Sequence, residues 1–231
     1  MSRAVFFSGL LATLMPVAAL ALEVRIDPHA DLLYRQALPL LEQADAENDS
    51  ASPLRTADLR DPELSRQGQA MARTLPSAVA LLEKSVELGH PVAQYRLALY
   101  YMTYLPAGKI AEAACPLLES SLRQGFAPPA TAIANWCPAF STSPAYQDAL
   151  EAIAGMATLY APYYPQPAPR LACNRNRPQG LELQWGRQRD YQAEVYRLLG
   201  ELDPQRSQAM LQKAVEINGC VAAQQRLTSN R

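Results

Sequence analysis

The stretch Leu81-Leu82-Glu83-Lys84-Ser85-Val86-Glu87-Leu88-Gly89 decides the reading of this chain, because it is followed by a second version of itself. That version is Leu117-Leu118-Glu119-Ser120-Ser121-Leu122-Arg123-Gln124-Gly125, each position 36 residues further on (117 − 81 = 36). The register persists past the glycine: Leu97 aligns with Ile133, Ala98 with Ala134 and Tyr100 with Trp136. A third copy, Lys213-Ala214-Val215-Glu216-Ile217-Asn218-Gly219, runs on to Ala222-Ala223-Gln224 and Leu227 and carries one extra residue at its turn. Recurrence at this spacing marks stacked supersecondary units.

Leu81, Leu82, Val86 and Leu88, with the small Ser85, fall at helical spacing before the glycine. The glycine supplies the left-handed residue that ends a helix. Pro91 and Pro128 are tolerated in the first turn of the helix that follows. In that second helix Ala93, Ala98, Ala130, Ala134 and Ala223 allow close approach, and Tyr100 and Trp136 are expected to fill the space between neighbours. Each unit reads as an antiparallel helical hairpin, and stacked hairpins share one core. The predicted fold class is all-α: an α-solenoid of antiparallel helical hairpins with repeats at about 77–104, 110–137 and 204–229.

The run Lys84-x-x-Glu87-x-Gly89-x-x-x-Ala93-Gln94-x-x-Leu97 resembles the Sel1-like repeat, a relative of the tetratricopeptide repeat. The second copy departs from that pattern at Pro128-Pro129-Ala130, and the third matches it in part. The resemblance implies a non-catalytic scaffold or adaptor.

Outward from the repeats, residues 1–21 carry a basic start at Arg3, an apolar run from Ala4 to Leu14 and the small-x-small pattern Ala19-Leu20-Ala21. This predicts a signal peptide cut after Ala21, with 22–231 as one exported helical-repeat domain and no membrane insertion after cleavage. No cysteine follows the cut closely, so no lipid anchor is expected. Arginine supplies nearly all of the 21 basic residues, which favours the bacterial periplasm. Asp31 to Asp45 reads as an end-capping helix with Leu32, Leu33, Ala37, Leu40, Leu41 and Ala44 on one side, and Glu47 to Asp61 as a polar loop. Pro62 to Arg73 begins the next helix, which is expected to be interrupted near Pro76, and Pro144 to Tyr160 reads as a further helix. Residues 161–180, with Pro162, Pro165, Pro167, Pro169 and Pro178, exclude a regular helix and form a proline-rich insertion. Leu181 to Gly200 and Pro204 to Asn218 are expected to return to helix.

The net charge of −1 argues against nucleic acid as a partner. There are two histidines. His90 sits beside a turn glycine, and His29 is expected to cap a helix rather than to react. The carboxylate groups Asp45, Glu47 and Asp49, and Asp58, Asp61 and Glu63, read as solvated charges in loops. No phosphate loop or hydrolase motif occurs, so no catalytic, cofactor or metal residue is assigned. The even set Cys115, Cys137, Cys173 and Cys220 allows three full pairings in an oxidising compartment. Hairpin geometry selects one of them. The midpoint of 115 and 137 is 126, directly after the turn residue Gly125, so Cys115 and Cys137 lie level on facing helices and Cys173 is left for Cys220.

Tyrosine, tryptophan and arginine dominate binding hot spots. Tyr163, Tyr164, Arg170, Arg175, Arg177 and Trp185 are therefore the partner-binding candidates. The leading expectation is a scaffold or adaptor that binds an envelope protein or peptide. Binding of cell-wall glycan or a small ligand, and an envelope hydrolase, are the alternatives.

Overall fold

The computed structural model describes residues 26–57, 62–154, 160–174 and 184–229. The expected signal peptide, Asp58, Asp61, Arg175 and Arg177 lie outside them. Ten helices dominate: α1 (Pro28–Ala57), α2 (Pro62–Glu87), α3 (Pro91–Tyr104), α4 (Ala107–Arg123), α5 (Pro129–Trp136), α6 (Pro138–Ser141), α7 (Pro144–Ala154), α8 (Gln188–Leu202), α9 (Ser207–Asn218) and α10 (Val221–Ser229). A two-stranded antiparallel ribbon, β1 (Gln166–Ala168) with β2 (Gln184–Gly186), pairs Pro167 with Trp185. Each helix from α1 to α5, and from α7 to α10, packs on the next in sequence.

The 36-residue register is visible in atomic contacts. Gly89 and Gly125 both have positive φ, 82° and 89°, and both turns close by the same two backbone bonds. In the first, Gly89 N–H donates to Val86 O and His90 N–H to Ser85 O; in the second, Gly125 N–H donates to Leu122 O and Phe126 N–H to Ser121 O. The serine five residues before each of these aromatic rings is buried and ties its helix to the preceding one. Ser85 Oγ donates to Ala30 O at 2.8 Å, and Ser121 Oγ donates to Pro91 O at 2.7 Å. His90 then stacks on Tyr34 at 4.9 Å, as Phe126 meets Tyr95 edge-on at 5.8 Å. The pair α3/α4 thus repeats the contacts of α1/α2.

One difference between the copies has a local cause. His90 Nδ1 accepts the N–H of Ala93 at 3.2 Å, and the residue in that register in the second copy, Pro129, has no N–H to satisfy. Phenylalanine at 126 therefore leaves no donor unpaired. In the third copy the extra residue lengthens α9 before Gly219 (φ 73°), which closes by a single bond from its N–H to Val215 O.

Several expectations are corrected. α1 continues through Glu47 to Ala57 instead of ending in a loop; a polar run does not by itself fix the backbone conformation. The face of α1 that is buried is Ala30, Tyr34, Ala37, Leu41 and Ala44, whereas Leu32 is exposed. α2 runs unbroken through Pro76, which is exposed, so water can serve the carbonyl that proline leaves free. Asp27, not His29, caps α1: its Oδ1 accepts the N–H groups of His29 and Ala30 at 2.8 and 2.9 Å. Residues 184–186 are strand, with helix beginning only at Gln188. Ala134 and Trp136 are exposed, so Trp136 does not fill an interior space.

The sulfurs of Cys115 and Cys137 are bonded, with α-carbons 5.7 Å apart, and those of Cys173 and Cys220 are bonded with α-carbons 4.0 Å apart. The first bridge joins α4 to the end of α5. The second belongs to a small separate core with Ala193, Leu211, Ala214 and Ala223, and joins the insertion to the turn before α10. No helix among the described residues is long and apolar enough to cross a membrane.

Candidate functional site

The described part of the insertion packs against the helices. Tyr163 packs on Tyr34 and His90, at 5.8 and 5.5 Å between ring centroids, and its hydroxyl donates to Asp31 Oδ1 at 2.7 Å. Tyr164 packs on Phe126 and Tyr191, each at 5.9 Å. Burial pushes the phenol pKa of both tyrosines well above its usual value. These two candidates therefore turn toward the core.

β1 follows them and is held like a bound extended peptide. Tyr95 of α3 donates its hydroxyl to Pro167 O at 2.7 Å. Tyr191 of α8 donates to the same oxygen at 2.9 Å and to Gln166 O at 3.0 Å. The Gln166 side-chain amide donates to Tyr34 Oη of α1 at 3.4 Å and to Tyr163 O. Proline at 167 brings no N–H that would need a partner, and its carbonyl is taken by two side chains. At the paired position next door, an added Cβ on Gly186 would stand 2.5 Å from the Tyr191 ring, so only glycine lets the ribbon lie this close.

Beside β1 an apolar cleft of about 250 Å³ remains open. Leu41 and Ala44 of α1, Leu75 of α2, Leu99, Tyr100, Met102, Thr103 and Tyr104 of α3, Trp136 of α5 and Pro167 to Pro169 line it. Tyr104 and Trp136 are 48% and 43% exposed at its rim, which is unusual for such large rings and leaves them for an occupant to cover. One charged pair interrupts the apolar wall: Arg96 Nη2 donates to Asp45 Oδ2 at 2.7 Å, with Arg96 almost fully buried. Trp185 lies over that guanidinium, 5.8 Å from ring centroid to Cζ. A cavity of this size takes one or two large side chains of an extended segment, with Arg96 as a fixed polar handle.

Of the six sequence candidates, Trp185 touches Arg96 of this cleft, Tyr163 and Tyr164 pack against the core and do not line it, and Arg170 is exposed in a second cleft. Asp45 belongs to a helix and an ion pair rather than to a solvated loop, and Glu47, Asp49 and Glu63 are likewise helical. Sequence reading missed Arg96, Met102, Thr103 and Tyr104. The cluster Tyr100-Tyr101-Met102-Thr103-Tyr104, rich in rings and soft side chains at the end of a helix, is the signal that points there. No group of three or more His, Cys, Asp or Glu side chains among the described residues could hold a metal ion. No protein-family model matches the chain, and neither a curated protein nor a solved structure matches it significantly.

Proposed function

We propose that this protein is an exported, non-catalytic helical-repeat scaffold, an α-solenoid of hairpins of the Sel1-like kind, that binds an extended segment of a protein partner in the bacterial cell envelope. The observation that carries the reading is the treatment of the chain's own strand. Residues 166–168 lie against α3 and α8 with the carbonyls of Gln166 and Pro167 taken by their tyrosines, and an open apolar cleft lies beside them. A surface already suited to an extended backbone, with exposed aromatic rings and a fixed guanidinium, has the composition of a peptide-binding hot spot. The occupant is a segment presenting one or two large apolar side chains beside a backbone carbonyl for Arg96.

The test is site-specific photocrosslinking in the periplasm. A photoreactive residue at Thr103, exposed and lining the cleft, is compared with one at Glu112, exposed on the outer face of α4. A discrete polypeptide adduct at 103 and not at 112, competed away by excess purified protein, is the expected result. Adducts equal at both positions, or glycan retained with no polypeptide adduct at 103, would overturn it.

A further inference from the structure

A second cleft, of about 520 Å³ and lined in part by Arg170 and Ala172 of the insertion, has a different chemistry. Among the described residues no aromatic side chain lines it. Three guanidiniums reach it from three separate segments: Arg170 from the insertion, Arg197 from α8 and Arg226 from α10. One carboxylate, Glu201, lies among them, with Asn135 and Gln225 as neutral polar groups.

Arg197 is fixed before any ligand arrives. Its side chain is 11% exposed, its Nε donates to Glu194 Oε2 at 2.7 Å and its Nη1 to Glu201 Oε2 at 2.7 Å. A guanidinium has five N–H donors, so three remain uncommitted. Glu194 is itself fully buried and accepts the Cys173 N–H at 2.6 Å. The walls are fixed too, because Cys173 is bonded to Cys220 and its carbonyl accepts the N–H of Val221 at 3.2 Å. Arg226 is mostly exposed and 4.0 Å from Glu201, and Arg170 is exposed with no ion-pair partner among the described residues. Counting Glu194 behind Arg197, the set carries three positive and two negative charges, and both carboxylates are already held by Arg197. Arg170, and Arg226 with only its 4.0 Å approach to Glu201, are left to meet added negative charge.

We propose that this cleft binds a small organic molecule bearing two or more carboxylates. The planar guanidinium fork matches a carboxylate with two parallel hydrogen bonds, and two exposed forks beside a mostly buried one favour more than one carboxylate per ligand. The absence of an aromatic platform disfavours the face of a sugar ring, and Asn135 and Gln225 suit the hydroxyl or amide groups such acids carry. The site is separate from the apolar cleft and does not depend on the reading given for it.

Calorimetric titration of the oxidised full-length protein with citrate tests the proposal, with inorganic phosphate and sodium chloride at matched ionic strength as comparisons. Saturable citrate binding is expected, weakened at least tenfold by Arg170→Ala and by Arg226→Ala, with phosphate weaker than citrate. Both side chains are exposed, so the variants should melt with the parent protein, and crosslinking at Thr103 should be unchanged. Absence of saturable citrate binding, equal binding by parent and variants, or an equal response to phosphate and chloride would overturn it.

Discussion

Removing the two tyrosine hydroxyls that share the Pro167 carbonyl tests whether β1 is built into the groove. Tyr95 and Tyr191 are fully buried, and phenylalanine keeps the packing of each ring. In Tyr95→Phe the carbonyl retains Tyr191 at 2.9 Å; in Tyr191→Phe it retains Tyr95 at 2.7 Å. Tyr95→Phe therefore removes one ordinary hydrogen bond, about 1 kcal/mol, and Tyr191→Phe removes its share of the same carbonyl together with its contact to Gln166 O at 3.0 Å, a loss at least as large. The double variant leaves a buried carbonyl with neither side-chain partner, which adds about 1–3 kcal/mol for an unsatisfied group. The prediction is a coupling energy of that size from a double-mutant cycle in urea under non-reducing conditions. Effects that add to within about 0.5 kcal/mol, the scatter of independent sites, would refute the shared-acceptor reasoning.

Replacing Cys115 and Cys137 together by serine opens a loop closed across 22 residues, and the chain-entropy estimate puts the loss at about 3.4 kcal/mol; peptide mapping without reduction should recover the 115–137 and 173–220 peptides, and a 137–173 peptide would contradict the hairpin geometry. Burial raises the phenol pKa of Tyr95, Tyr146, Tyr164 and Tyr191, and that of Tyr160 to about 12. Since the folded values lie above the unfolded value of about 10, this stability is complete below pH ~10 and is lost as pH rises further, so the unfolding midpoint should fall steeply there, and the share of tyrosinate absorbance that belongs to these five buried rings should appear together with unfolding. Burial lowers the His90 pKa, with Asp31 opposing, so His90 stays neutral in the fold and costs stability as pH falls below ~6.5. His90→Phe, the residue found in the second copy, should cost about 1 kcal/mol at pH 7 through the uncapped Ala93 N–H, and should flatten the stability curve between pH 6.5 and 5.

The parts of the fold that were legible in the sequence are those written locally. A glycine with helical spacing before it announces the end of a helix, and Gly89, Gly125 and Gly219 all adopt the left-handed conformation this requires. The first cysteine pairing followed from distance to the turn alone. What was illegible depends on residues far apart in the chain. Tyr163 reaches Asp31 across 132 positions, Tyr95 reaches Pro167 across 72, and Arg96 reaches Asp45 across 51. Nothing in the local pattern of 160–174 says whether its rings face water or helices, and the helices that take them are specified elsewhere. The strand was hidden for a related reason: three residues with a central proline lack strand periodicity, and side-chain hydroxyls from α3 and α8 supply the anchoring that a wider sheet would provide. The apolar cleft escaped because Tyr100 was read as filler, and because its charged floor joins two helices that the sequence separates.

Trp136 lines the apolar cleft and Trp185 packs on Arg96, which also lines it, so tryptophan emission reports on its occupation. The most direct test of peptide binding there is to titrate purified protein with a peptide from the segment crosslinked at Thr103, chosen without tryptophan. The comparison is Thr103→Arg, which places a charged side chain at the cleft mouth from an exposed position. The account predicts a saturable change in emission for the parent protein and its loss in the variant, with the circular dichroism of the two unchanged. Binding of equal strength to both proteins, with tryptophan emission unaltered, would contradict it.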